Sequence, residues 1–189
     1  MPDSSWIDYY PESYWDGQAQ GCNETEHYFG QTITGDGRTL DEVKFWLKRA
    51  LDPTGNAYVQ LYPMAVGTFG LNGRPANPVA DEVDRLAESD PVDITTISSD
   101  TWGLVSFHFS TPYTLVAGTH YCIIIKYTGG DATHQLGVGI DFTPNFHAGN
   151  NITTSAGNWG GSTSIDNIFY AISDQGGSTL VKKIIAQCG

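Results

Sequence analysis

Residues 101–127, TWGLVSFHFSTPYTLVAGTHYCIIIKY, decide the fold class. Val105, Phe107 and Phe109 fall on one face of a strand, with Ser106 and His108 on the other. After a turn region holding Pro112 and an opening at Gly118 and Thr119, Tyr121, Ile123, Ile125 and Tyr127 repeat the pattern. A period of two with β-branched and aromatic residues suits a half-buried antiparallel pair, so the two segments are expected to form one.

Working outward, the same alternation marks strands at residues 27–34, 40–47, 57–62, 94–97, 136–142, 168–172 and 179–185. Turn chemistry separates them: Gly35-Asp36-Gly37, Asp52-Pro53-Thr54-Gly55 and Gly129-Gly130-Asp131. Long polar loops are expected at 66–82 and 143–165, and a short helical turn near 81–87. The chain therefore reads as all-β: a jelly-roll-type antiparallel β-sandwich of about eight strands, with an up-and-down barrel as the alternative. Residues 1–26 read as an extended N-terminal arm rather than a core strand, and residues 27–189 as the sandwich domain. Phe45, Val59, Leu61, Phe107, Phe109, Ile123 and Ile125 are the expected core. Gly137 and Gly139 alternate with Leu136, Val138, Ile140 and Phe142, which leaves one strand face nearly bare; such glycines mark a twist or a close approach.

Composition agrees. At 189 residues one domain is the default, and 22 glycines with 12% aromatics suit a turn-rich all-β chain. The formal net charge of −12, with no Lys/Arg cluster, argues against nucleic acid as a partner. Seven carboxylates and no Lys or Arg fall in residues 1–36, and seven more with Arg85 alone fall in 81–100, which reads as a solvated acidic surface or a docking face for a basic partner. No apolar run is long enough to span a membrane, and the first residues, MPDSSWIDYY, do not have the form of a signal peptide. Cys22, Cys122 and Cys188 lack metal-ligand spacing; Cys122 is expected as a buried thiol, and Cys22 could pair with Cys188. Sequons at Asn23 and Asn151 are read as chance.

No Gly-x-Ser-x-Gly elbow and no HExxH motif occurs, and His108 and His120 are expected as a surface pair rather than a zinc site. Asp141, Asn150, Asn151 and Asp166 flank the second long loop and are weak candidates for a structural Ca²⁺, hard oxygen ligands being what that ion takes; otherwise no cofactor is expected. The aromatic distribution says more. Trp6, Tyr9, Tyr10, Tyr14 and Trp15 crowd the N-terminal segment, while Trp46, Tyr58 and Tyr62 face outward and would form one patch if their strands pair. These rings are the interface candidates, to be covered by the arm or by a partner, or to serve as a sugar-stacking platform.

The order HYFGQTIT, TLDEVKFWLKR, AYVQLYP, RLAESDPVD and WGLVSFHFSTPYTLVAGTHYCIIIKY, followed by IDFTPNFHAGN and DNIFYAIS, resembles the choice-of-anchor R type of β-sandwich module. Such modules occur in bacterial surface proteins and in bacteriophage virion proteins. The resemblance covers residues 27–173, and its motifs are structural: a tryptophan opening one strand and Leu-x-x-Gly-Thr-x-Tyr opening the next. It implies a non-catalytic virion structural protein at the particle surface. The expected form is a phage head decoration protein or another exterior subunit that binds shell proteins and its own copies. It supplies no catalytic residues. The alternative is a carbohydrate-binding module for receptor or glycan adhesion, and an extracellular location is the alternative to the virion.

Overall fold

The computed structural model describes residues 5–23, 28–76, 82–127, 129–143, 147–155 and 157–174. The described chain is all-β, with two antiparallel sheets, one of them curled into a half-barrel. Among the described residues fourteen strands run in chain order: β1 (Trp6–Tyr10), β2 (Gln18–Cys22), β3 (Phe29–Thr34), β4 (Thr39–Ala50), β5 (Asn56–Pro63), β6 (Ala87–Glu88), β7 (Val92–Asp93), β8 (Gly103–Thr114), β9 (His120–Tyr127), β10 (Gln135–Asp141), β11 (Asn151–Ser155), β12 (Asn158–Ser162), β13 (Asp166–Asn167) and β14 (Phe169–Ile172). Among the described residues no helix is long and apolar enough to cross a membrane.

The first sheet is organised around the long β4. One side of β4 pairs with β8. Its other side pairs with β14 at residues 42–45 and with β10 at 47–50, so the sheet forks. Ile168 bridges the fork: its N–H donates to the Gly139 carbonyl and its own carbonyl accepts from Trp46 N–H. The outer neighbours of the two branches are β1 on β14 and β2 on β10. The second sheet runs β12-β11-β3-β9-β5-β6, with β7 also on β5.

The seven residues read as core from alternation are all buried, at 3% exposure or less. They interdigitate between the sheets with Leu40, Val43, Tyr127, Leu136 and Phe169. A second, smaller cluster of Tyr62, Cys122, Ile124, Ile152 and Trp159 lies on the other face of β9. Trp159, on the β12 edge, packs against Tyr62 of β5 at 6.0 Å, which shows the curl: the sheet bends until its own edge covers its far face.

Several expectations are corrected. The strands at 101–127 do not pair with each other: β8 belongs to the first sheet, and β9 lies between β3 and β5 in the second. Alternation specifies an apolar face but not the neighbour, and Leu115 carries the chain across the core. Pro112 lies within β8, which among the described residues forms a ladder only with β4, so its missing N–H breaks no second ladder there. The turn falls at Val116 to Thr119, with Gly118 at φ +76°.

The N-terminal segment is not an arm outside the core. Its strands β1 and β2 lie in the first sheet, and Tyr10 and Cys22 enter the core. Gln18–Cys22 has few good strand formers, but it lies beside the glycine-rich β10, where small residues are needed. Residues 94–97 begin with a 3-10 turn, Ile94–Thr96, which Asp93 caps by accepting from Thr95 N–H. The loop after residue 143 contains the β11–β12 hairpin. The strand expected at 179–185, and Cys188 with it, lie outside the described residues. Cys22 and Cys122 are buried thiols, and burial pushes Cys22 up to about 12.

Candidate functional site

Along β4 the side chains of Val43, Phe45 and Leu47 enter the core, so Lys44, Trp46 and Lys48 occupy the outer face. Register places Tyr170 beside Lys44 and Tyr9 beside Tyr170 on that face. Tyr9 and Tyr170 stack at 5.9 Å and 9°, and Trp6 meets the Tyr170 ring edge-on at 5.0 Å. A second ring group follows: Trp15 lies 5.9 Å from Trp46 and 5.2 Å from Trp102. Apart from the buried Tyr170, these rings are half-buried. The Trp15 Nε1–H donates to the Gln18 carbonyl, fixing that ring to the start of β2.

The bare face of β10 explains the second group. A Cβ at Gly139 would lie 2.5 Å from Trp46 Cδ1, and one at Gly137 would lie 3.0 Å from Trp102 Cη2. The strand glycines thus make room for two indoles of the same chain. Beside Trp102 opens a groove of about 400 Å³, lined by β2, β4 and β10 through Gln20, Lys48, Gln135 and Gly137 among others.

The sequence-derived interface residues therefore divide. Trp6, Tyr9, Trp15 and Trp46 gather on one face. Tyr10 faces inward and is buried, while Tyr14 stacks on it at 5.0 Å and is exposed. Trp46 does not share a patch with Tyr58 and Tyr62, because β4 and β5 lie in different sheets. Tyr62 is buried under Trp159, and Tyr58 is half-buried. Trp102 and Tyr170 escaped the sequence reading, although period two from Phe169 puts Tyr170 on the outer face.

Asp141 and Asp166 do come together, directly opposite each other in the β10–β13 ladder and almost fully buried. Asp141 accepts from Tyr10 Oη–H at 2.5 Å and from the N–H and hydroxyl of Thr143. Asp166 accepts from Gln31 Nε2 at 2.6 Å and from His147 N–H at 2.9 Å. All four carboxylate oxygens are thus engaged by protein donors. Burial first, and the Asp141 charge beside it, push the Asp166 carboxyl up against the hydrogen bonds that favour its ionised form. Gly149 N–H donates to His147 Nδ1, so the proton of the neutral ring sits on Nε2 and donates to Asp8 at 2.8 Å. Asn150 is held elsewhere, by Gly73 and Thr32. Among the described residues no group of three or more His, Cys, Asp or Glu is placed to hold a metal ion.

His108 and His120 lie in different sheets: His108 faces Glu42 at 3.8 Å, and His120 stacks on Phe69 at 4.0 Å. The sequon residues Asn23 and Asn151 are both buried.

No protein-family model, curated protein or solved structure matches this chain.

Proposed function

We propose that this chain is a non-catalytic structural subunit on the outside of a virion, either a phage head decoration protein or another exterior particle component. In this reading it is a jelly-roll sandwich that binds neighbouring subunits through the outer face of its first sheet. One observation carries the reading. The N-terminal strands bring Trp6, Tyr9 and Trp15 onto the same face as Trp46, Trp102 and Tyr170. Trp6, Tyr9 and Trp102 belong to neither core cluster and are half-buried, so they are available to an interface, where Trp and Tyr are favoured. Asp141 and Asp166, opposite each other in the β10–β13 ladder, are sealed and fully hydrogen-bonded, which favours a structural use for them over hydrolysis. The acidic balance points the face toward protein partners rather than nucleic acid.

The test is copy number. Quantitative mass spectrometry of purified particles should find this chain in stoichiometric ratio to a shell protein, and immunogold should label intact particles. Absence from particles, or labelling only after disruption, would overturn the reading. A second reading, adhesion to glycan, is favoured by the groove beside Trp102 on the same face.

A further inference from the structure

Two polar side chains around the groove, Gln135 and Lys48, have no protein partner among the described residues. The Gln135 amide lies over Gly21, where a Cβ would come within 1.8 Å of its Oε1, and no described residue bonds it. Lys48 makes no ion pair among the described residues, in a chain with 21 carboxylates. Its neighbours on β4 differ, since Lys44 is paired with Glu42 and Arg49 with Asp52. Beside these groups stands the Trp102 indole, seated over Gly137.

An amide offering both a donor and an acceptor, a free ammonium and an aromatic ring over a floor of small residues form a complementary set. A flat apolar molecule would leave the Gln135 amide unsatisfied, at the usual cost of buried polar groups. A pyranose matches the set: its C–H face packs on an indole while its hydroxyls take up amide donors and acceptors. The uncompensated Lys48 selects a sugar that carries a carboxylate, because an ammonium beside an anion makes a charge-assisted hydrogen bond and discriminates against neutral analogues. The groove, at about 400 Å³, is in the size range of small-ligand sites.

We propose that the groove between β2, β4 and β10 binds a carboxylated saccharide residue, with Trp102 as the stacking platform, Gln135 as the hydroxyl partner and Lys48 as the carboxylate anchor. This inference deepens the glycan reading and rests on it; the virion-exterior reading can stand without it.

The experiment is isothermal titration of the full chain with sialyllactose and with trigalacturonate as carboxylated probes, and with lactose and cellotriose as neutral ones. At least one carboxylated probe should bind about tenfold or more tighter than its neutral counterpart. Lys48→Met should abolish that preference and leave the weak neutral binding, and Trp102→Ala should abolish both. Gly21→Ala should displace the Gln135 amide into the groove and weaken every probe. Lys48 is a half-exposed surface side chain, so its variant keeps the test valid even where Trp102→Ala disturbs folding. Equal binding of neutral and carboxylated probes would overturn the carboxylate assignment while leaving the glycan reading. Failure of all probes at about 10 mM would overturn both. Binding that survives both Lys48→Met and Trp102→Ala would place the site elsewhere and overturn the proposal.

Discussion

The Trp46 indole lies over Gly139 of the neighbouring strand, where a Cβ would stand 2.5 Å from Cδ1 and 3.2 Å from the Trp46 carbonyl oxygen. The bare face of β10 is therefore a seat. An added methyl has to push the ring outward and away from Trp15, which meets it at 5.9 Å. Gly139→Ala should destabilise the fold by about 1–3 kcal/mol through overpacking. It should also change the near-ultraviolet circular dichroism of the tryptophans. A urea midpoint equal to that of the parent protein would mean that the seat is looser than the geometry states.

Phe107 is wholly buried between the sheets and sits opposite Val43 in the β4–β8 ladder. Phe107→Ala should cost about 3–5 kcal/mol, the range for emptying an aromatic site in a core. Denaturant unfolding measures it, and a loss near zero would contradict the placement of this ring.

The burial of Phe107 and Ile123 was legible from alternation because period two tests which face is apolar. The same test is blind to pairing, and these two residues turn out to enter the core from opposite sheets. Tyr62 illustrates a second limit. Its outward position on β5 was correct, yet Trp159, from a loop rich in glycine and asparagine, closes over it because the sheet curls. Gln18–Cys22 was missed because its residues are poor strand formers individually. What makes it a strand is the demand of β10 for a neighbour with small side chains. The aromatic face was half legible: Trp6, Tyr9, Trp15 and Trp46 were named, but their grouping depends on the β1–β14 register, which no local pattern encodes. The contact of Asp141 with Asp166 depends on register in the same way.

That carboxylate pair makes a pH prediction. Burial and the neighbouring Asp141 raise the folded-state pKa of Asp166. A raised folded pKa contributes stability that is fully present below the unfolded value of about 3.9 and is lost as pH rises through the folded value. Asp141→Asn removes the like charge while keeping an oxygen for Thr143 and an amide for the Tyr10 hydroxyl. The Asp166 pKa should then fall, and the part of the stability lost over that pH window should shrink. Carbon-detected NMR titration of the Asp166 carboxyl reads the midpoint directly. An unchanged midpoint would show that the two side chains do not sense each other.

The N-terminal strands give the most decisive test. Deleting residues 1–20 removes β1 and most of β2, which together form the outer neighbours of both branches of the fork. It uncovers β14, deprives the core of Tyr10 and takes the hydroxyl donor from buried Asp141. A buried carboxylate stripped of a donor and two newly exposed strand edges each oppose folding. The truncated chain should therefore fail to unfold cooperatively in thermal and urea scans; a cooperative transition near that of the parent would show that the strands are dispensable to the fold. The complementary variant, Trp6→Ser with Tyr9→Ser, keeps the β1 backbone and the inward Tyr10 but removes two rings from the outer face. It should fold, with an unfolding transition close to that of the parent, and lose attachment to particles in a co-sedimentation assay. Retained attachment by a folded double variant would exclude these two rings from the contact.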